Sequence, residues 1–174
     1  MSFLLDACIV IDAYSLGVWK DLVAAAQVVA PSIVIHNEAQ FYESERGAVP
    51  TEIDLSRLLG CGMIEEEAAS TSEMRAVLAY FDRSTREGLD PGEIEALAII
   101  ERVPDGTISF CTADRLAVEA LAMLGHSECG VSMEAMLDSV GLHRELPVRC
   151  TERRFRQYIE YGRTLRLQGK GKPY

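Results

Sequence analysis

The sequence predicts an α/β protein built on a parallel sheet that helices cover on both faces. Short apolar runs alternate with stretches of helical periodicity along the chain, which is typical of that architecture. The 174 residues, 48% of them hydrophobic, suffice for one compact domain with a substantial core but not for two. We therefore expect one main domain over residues 1–148 and a basic C-terminal helical extension with a mobile tail over 149–174.

Two strands are predicted in the first part of the chain. Residues 2–6 (SFLLD) form an apolar run that stops at an acid, as a buried parallel strand does where its carboxyl end opens onto a site. Residues 18–30 are rich in Ala and Val and predict a helix that Pro31 ends. The run SIVIH, residues 32–36, predicts the second strand, and a helix over about 37–45 should follow.

The rest of the chain continues the alternation. Between 47 and 70 the pattern is weaker and indicates a loop, a short helix and a strand. Beyond it, apolar residues at three- and four-residue steps predict a first helix that Gly88 ends. The predicted elements are a helix at 54–59, a strand at 63–67, helices at 72–86 and from Asp90, a strand at 107–111, a helix from Arg115, a strand near 129–131 and a helix over 132–141.

Composition excludes several classes of protein. No apolar run approaches the roughly 20 residues of a membrane-spanning helix, and no basic leader precedes the first strand, so we expect a cytoplasmic protein without a membrane partner. The five cysteines are odd in number and form no C-x-x-C pair, which argues against a zinc site and for reduced thiols. With three histidines and no G-x-S-x-G motif, a covalent hydrolase triad is not expected.

Charge is distributed unevenly along the chain. Residues 149–174 carry eight Lys and Arg against two acids, a net charge of +6, which leaves −16 for residues 1–148. An acidic body opposes binding of a polyanion, because phosphate recognition relies on Lys and Arg. The basic extension and bound cations are the two features that could offset this.

Four acids stand at the ends of separate predicted elements: Asp6, Glu38, Glu93 and Asp114. Three of them fall just past predicted strand ends, where open α/β sheets bind their ligands. Converged carboxylates repel one another unless a cation neutralises them, and Mg²⁺ favours oxygen ligands. The pattern favours a divalent-metal site of the kind that hydrolyses phosphodiesters.

Each of these acids also has a structural interpretation. Asp6 and Asp114 could be helix N-caps, since Asp is preferred where a strand hands over to a helix. Asp90 and Glu93 have the spacing of a capping box. Glu38 could be an acid in a first helical turn that compensates the helix dipole. Four independent caps would not require this order, so the joint pattern favours the metal site.

Four segments carry a resemblance to a known family. FLLDACIVIDAY, SIVIHNEA, LDPGEIEALAII and FCTADRLAVEAL resemble the successive motifs of the PIN-domain ribonucleases, over roughly residues 2–142. The likeness is greatest to the prokaryotic branch with VapC-like toxins and proteins that have a G-E motif at the third acidic position. The resemblance implies a Rossmann-like three-layer α/β/α sandwich for residues 1–148, the PIN-like domain, and endoribonuclease activity dependent on Mg²⁺ or Mn²⁺.

The resemblance also implies roles for particular residues. The metal ligands and catalytic residues would be Asp6, Glu38, Glu93 and Asp114, supported by Thr112, whose hydroxyl would orient Asp114, and by Asp90. Two departures affect the first motif: Ala7 and Cys8 stand where the family commonly has Thr and then Ser or Asn.

Two functional hypotheses remain open from the sequence. The first is a ribonuclease acting on RNA, with the toxin role of a toxin–antitoxin pair, an antitoxin protein and a homodimer as further expectations. The second is a catalytically silent PIN-like module that binds RNA or a protein partner. The departures at Ala7 and Cys8 and the acidic body favour the second.

The extension reads as an amphipathic helix over residues 151–168. Its apolar stripe contains Phe155, Tyr158, Ile159 and Leu165, and its arginines lie mostly elsewhere. We expect this stripe to dock against the domain or a second subunit. Contact between the arginines and RNA phosphates, with Tyr158 or Tyr161 stacking on bases, is the less favoured alternative.

Overall fold

A computed structural model of the chain describes residues 2–44, 47–104 and 106–173. Its strands are β1 (Ser2–Leu5), β2 (Gln27–Pro31), β3 (Phe41–Tyr42), β4 (Thr51–Glu52), β5 (Glu65–Glu67), β6 (Ser109–Cys111) and β7 (Gly130–Val131). Its α-helices are α1 (Ala7–Ser15), α2 (Trp19–Ala25), α3 (Leu55–Gly60), α4 (Thr71–Leu78), α5 (Arg83–Gly88), α6 (Pro91–Arg102), α7 (Arg115–Leu124), α8 (Met133–Ser139) and α9 (Glu152–Leu167). A π-helical turn covers Val34–Glu38, and 3₁₀ turns cover Ser127–Cys129 and Val148–Cys150.

Five parallel strands form the central sheet, in the order β5-β2-β1-β6-β7. Strand β1 is central, and its Leu4 lies opposite Val29 of β2 and Phe110 of β6. Strands β3 and β4 form a separate antiparallel pair. The predicted fold class is confirmed: this is an α/β protein with a parallel central sheet between layers of helices.

Side chains that alternate along β1 separate two apolar cores. Phe3 and Leu5 face one core, which also receives the apolar faces of α1, α2 and α8. Leu4 faces the other, where α6 and α7 pack. Both faces of the sheet are therefore buried, which explains the near-continuous apolar run in the sequence of β1. Within the described ranges, none of the helices has both the length and the apolar character that crossing a bilayer requires.

The prediction for residues 18–36 places the helix and the strand in the wrong segments. The second strand is Gln27–Pro31 and overlaps the end of the predicted helix over 18–30, and the predicted strand over 32–36 is helical. Two β-branched residues, Val28 and Val29, pack on opposite faces of the sheet, which outweighs the helical propensity of the preceding alanines. Pro31 therefore ends a strand and not a helix.

Two further elements differ from prediction. The helix expected over 37–45 is absent from residues 39–44, where β3 lies instead, and residue 45 is outside the described residues. The helix expected over 72–86 is divided into α4 and α5. The division has a local cause, because Asp82 caps α5 and accepts hydrogen bonds at 2.9 Å from both the amide and the hydroxyl of Thr85.

Helix α9 docks on α7 through the apolar stripe that the sequence predicts. Phe155 and Ile159 are buried against Val118 and Ala122. Gly162 permits the close approach, since a methyl group at this position would lie 2.4 Å from the Glu119 carbonyl oxygen. The apolar stripe therefore docks against the domain, one of the two surfaces that the sequence analysis offers for it.

The residues after α9 also contact the domain. The Lys172 amide donates to the Met123 carbonyl at 3.0 Å, and Arg166 donates from Nε to the Lys172 carbonyl at 2.9 Å. Lys172 also forms an ion pair with Glu101. The sequence predicts a mobile tail from Gly169 onward, whereas in the structure Gly171 and Lys172 lie against Met123 of α7.

We predict that Gly162→Ala will lower the free energy of unfolding by about 1–3 kcal/mol, because the added methyl group overpacks the contact between α7 and α9. Gly60→Ala is the matched control, since a methyl group there meets nothing within 4 Å, and we expect a change below about 1 kcal/mol. Urea denaturation of both variants measures the difference. Equal effects would contradict the close packing at Gly162.

Candidate functional site at the carboxyl edge of the sheet

Two of the predicted site acids leave adjacent strands at the same edge of the sheet. Asp6 follows β1, and its amide donates to the Cys111 carbonyl at 3.1 Å, so β1 and β6 stay paired up to the acid. Asp114 follows β6 by three residues. Each is also an N-cap: Asp6 Oδ1 accepts from the Ala7 amide at 2.7 Å, and Asp114 Oδ1 accepts from the Leu116 amide at 2.6 Å. The capping interpretation of both acids is confirmed.

Two short bridges connect the buried Asp6 carboxylate to the turn before α7. The Thr112 hydroxyl donates to Asp6 Oδ2 at 2.7 Å and accepts from the Asp114 amide at 3.1 Å. The Cys8 thiol donates to the same oxygen at 3.0 Å and accepts from the Ala113 amide at 3.4 Å. Thr112 therefore orients the Asp6 side chain and the Asp114 backbone, and Cys8 supplies a polar hydrogen beside the first acid.

Glu93 enters the site from the first turn of α6. Its Oε2 accepts from the Asp90 amide at 2.9 Å, as the third residue of a capping box does. Its side chain is buried, and the residue is 5% exposed. The predicted role of Asp90 and Glu93 at the start of this helix is confirmed.

Glu38 reaches the site from a position that the sequence does not predict. It ends the π-helical turn Val34–Glu38, so it does not follow a strand, and π-helical turns are frequent at functional sites. Its Oε1 accepts from the Gly92 amide at 2.8 Å, which brings a carboxylate to the amino terminus of α6. A methyl group on Gly92 would lie 2.2 Å from Glu38 Oε2, so this approach requires glycine.

The pKa values indicate that the four acids share one electrostatic environment. Burial raises the pKa of Glu93 to about 8, and the charges of Asp6, Asp114 and Asp90 add to the increase. Burial also raises the pKa of Asp6, with a smaller contribution from Asp114. The pKa of Glu38 is raised by burial first and then by nearby acids, among them Asp6. The acids of this edge thus lie close enough for Asp6 and Asp114 to oppose the ionisation of Glu93, and for Asp6 to oppose that of Glu38.

Sequence reasoning gave little weight to Glu95, which organises this region. It is 3% exposed, and its carboxylate accepts from the Ile33 amide at 2.7 Å and from the Ala69 amide at 3.2 Å. The first contact supports the turn that carries Glu38, and it explains why residues 32–36 do not extend as a strand. A glutamate among Ile94, Ala96 and Leu97 is the sequence signal that could have identified it, because a buried acid requires partners.

Cation binding can be judged from the free carboxylate oxygens. Glu93 Oε1 and Asp114 Oδ2 have no hydrogen-bond partner among the described residues. Oxygen donors of this kind match Mg²⁺ or Mn²⁺. Across residues 2–44, 47–104 and 106–173, no three or more His, Cys, Asp or Glu side chains are already arranged around a metal position. The donor chemistry fits a hard divalent cation, but its coordination would require side-chain rotations.

Comparison with known proteins adds no relative. No model of a protein family matches the chain, and searches of the curated proteins and of the solved structures found no similar protein.

The raised pKa of Glu93 predicts a pH-dependent stability. Its pKa is about 8 in the folded chain against an ordinary value of 4.5. The stabilisation from its protonated form is therefore complete below about pH 4.5 and is lost as the pH rises through 8. Glu93→Gln keeps an acceptor for the Asp90 amide and removes the charge. We expect the variant to gain stability over the wild type between pH 5 and pH 9, by on the order of a few kcal/mol, since a tenfold change in proton affinity is worth about 1.4 kcal/mol.

Urea denaturation at pH 5, 7 and 9, without divalent cations, measures this difference. Glu145→Gln on the exposed loop after α8 is the control and should show no such trend. A constant difference between wild type and Glu93→Gln across the three pH values would contradict a raised pKa at this position.

Proposed function

We propose that this protein is an endoribonuclease that uses Mg²⁺ or Mn²⁺ to cleave RNA phosphodiester bonds. The observation that carries the proposal is the electrostatic coupling of Asp6, Glu93 and Asp114 at the carboxyl edge of the sheet, with Glu38 coupled to Asp6. Edges of this kind are where open α/β sheets bind their ligands. The resemblance to PIN-domain ribonucleases adds RNA as the substrate.

The four acids would act as the ligands of the cation. Divalent cations supply an activated water and stabilise charge on the leaving oxygen. Glu93 must release its proton before both of its oxygens can act as ligands, because its pKa is about 8. Thr112, which follows β6, and Cys8, in the first turn of α1, both donate to Asp6 Oδ2, and this support fixes the orientation of the first acid.

Side-chain rotation would complete the site. Glu38 and Glu93 have long side chains, and each has one oxygen bound to a backbone amide in the structure. Rotation of their carboxylates exchanges those hydrogen bonds for a ligand contact. Asp114 needs less movement, because its N-cap bonds occupy only Oδ1. Asp6 accepts hydrogen bonds through both oxygens, with Thr112 and Cys8 on Oδ2, so a cation would use a remaining lone pair of this carboxylate.

A silent PIN-like module that binds RNA or a protein partner is the second candidate. The absence of a ready metal-ligand group from the described residues favours it. On the sequence resemblance alone, the first proposal extends to a toxin that an antitoxin protein inhibits, and to a homodimer.

We expect Asp6→Asn and Asp114→Asn each to reduce RNA cleavage by at least about 100-fold, the typical cost of removing one preorganised electrostatic group. Each substitution keeps the Oδ1 acceptor of the cap and removes one negative charge from the site. In Asp6→Asn the side-chain NH2 group replaces the oxygen that accepts from Thr112 and Cys8, so urea denaturation must show that this variant is folded. Cleavage of purified tRNA and rRNA with Mn²⁺ or Mg²⁺, before and after EDTA, is the measurement.

Glu145→Gln serves as the control for loss of a carboxylate outside the site. Cleavage that survives both EDTA and the two substitutions would exclude the metal mechanism. Calorimetry with Mn²⁺ separates the two candidate functions, because a silent module should show no binding that depends on Asp6 and Asp114.

The contact between Gly92 and Glu38 gives an independent test of the fourth acid. In Gly92→Ala, the methyl group would displace the Glu38 carboxylate and would also lie 2.9 Å from Cγ2 of the buried Val34, so we expect a stability loss of about 1–3 kcal/mol. If Glu38 is a ligand, Mn²⁺ affinity should fall roughly 10- to 100-fold, as is typical when ligand positioning is disturbed. Unchanged affinity measured by calorimetry would remove Glu38 from the ligand set.

A further inference from the structure

A group of arginine and tyrosine side chains lies on the surface where α9 passes the start of α7. The Arg115 guanidinium carbon lies 6.0 Å from the centre of the Tyr158 ring and 5.6 Å from that of Tyr161. Arg154 lies 5.6 Å from the Tyr158 ring. We call these four side chains the arginine–tyrosine surface. The Tyr161 residue is 48% exposed, which is a high fraction for a large aromatic residue.

This surface lies at the same edge of the sheet as the carboxylates. Arg115 directly follows Asp114, the N-cap of α7. The two helices run in the same direction, because Tyr158 lies beside Arg115 and Gly162 beside Glu119. The first turns of α9 therefore extend past the start of α7 toward the carboxyl edge. The Glu152 contacts with Ser132 and Glu134, at the start of α8, agree with this placement.

The positive charge of the surface is only partly neutralised. Arg115 pairs with Glu119 at 2.6 Å, but Arg154 contacts the neutral Gln157. The neighbouring Arg153 is exposed and forms no ion pair with any described residue. Other cations of the extension are committed to acids elsewhere: Arg149 to Asp12, Arg163 to Glu128 and Lys172 to Glu101. Uncompensated charge is thus concentrated near Arg153 and Arg154, on a chain with a net charge of −10.

We propose that the arginine–tyrosine surface, with Arg153, binds single-stranded RNA. Exposed aromatic rings stack on unpaired bases, and arginines neutralise backbone phosphates, which together give binding without sequence preference. Tyr161 provides the stacking surface, and Arg153 and Arg154 provide the phosphate contacts. The inference rests on the proposed function in one respect: the bound strand continues past Asp114 to the carboxylates as their substrate.

Fluorescence anisotropy with a labelled single-stranded RNA of mixed sequence, in EDTA, tests binding apart from cleavage. We expect Tyr161→Ala to weaken binding roughly 5- to 100-fold, as loss of one stacked base does, without changing the salt dependence. Arg154→Ala should weaken binding and also reduce the slope of log K against log salt by about 0.7, as expected for one lost phosphate contact on a single strand. A duplex of the same sequence should bind more weakly, because its bases are not free to stack.

Three controls make the result specific. Tyr161→Phe keeps the ring and should bind as the wild type does. Lys20→Ala removes the same charge from an exposed position beyond the far end of α1, at the other edge of the sheet, and should have little effect. Arg115 is left unchanged, because its substitution would leave the buried Glu119 without its partner.

Wild-type protein that does not bind the single strand would overturn the inference. Equal binding of the duplex, or equal losses in Lys20→Ala and Arg154→Ala, would also overturn it. The two proposals fail separately. Binding with the expected losses but no metal-dependent cleavage would reject the ribonuclease proposal and support the RNA-binding surface. Metal-dependent cleavage with unchanged binding in the surface variants would support the ribonuclease proposal and reject the RNA-binding surface.

Discussion

The parallel pairing of β1 with β2 on one side and β6 on the other is the constraint on which the rest of the structure depends. Because β1 is central and buried on both faces, the segments that follow β1 and β6 must leave the sheet at one edge. Asp6 and Asp114 are the residues at which α1 and α7 begin there. Helix α6 then brings Glu93 to the same edge. The order and direction of the strands thus bring the acids together at this edge, even though their negative charges repel one another.

Capping and convergence are produced by the same geometry in this fold. A helix that follows a parallel strand starts at the carboxyl edge of the sheet, so an aspartate that caps it lies where ligands bind. The two interpretations of Asp6 and Asp114 were alternatives in the sequence, but a cap formed by one oxygen does not exclude a ligand role for the same side chain. Capping occupies Oδ1 of each residue. What separates a cap from a candidate ligand is burial beside other acids: burial first, and neighbouring carboxylates second, raise the pKa values of Asp6 and Glu93.

Neutral donors hold this negative cluster together. Backbone amides, the Thr112 hydroxyl and the Cys8 thiol donate hydrogen bonds to the four carboxylates, and none of the four forms an ion pair with a described Lys, Arg or His. Neutral donors form charge-assisted hydrogen bonds with a carboxylate, but they do not cancel its negative charge as a Lys or Arg partner would. The site therefore retains much of its unfavourable negative potential, which is the condition under which a cation or a proton binds best.

Local signals in the sequence predicted some parts of the fold well. The capping box of Asp90 and Glu93, the strand ending before Asp114 and the apolar stripe of α9 all depend on residues near one another in the chain. The exchange of helix and strand between residues 18 and 36 could not be predicted in this way. It depends on the pairing of Val28 and Val29 with β1 and on the distant Glu95, whose carboxylate binds the Ile33 amide. The prediction that Glu38 follows a strand was wrong for the same reason, since Glu38 lies at the end of the turn that Glu95 supports.

Helix α7 connects the acidic site to the basic helix α9. It begins at Asp114 in the acidic site, carries Arg115 in its first turn and receives α9 along its length. The apolar stripe of α9 packs against α7, and this docking determines which arginines of α9 face solvent. Packing and the exposure of positive charge therefore use different faces of the same helix. The sequence presented docking and phosphate contact as alternatives. In the structure, buried Phe155 and Ile159 position Arg154 and Tyr161 on the exposed side, so the docked helix is itself what holds a basic, aromatic surface next to a cluster of carboxylates.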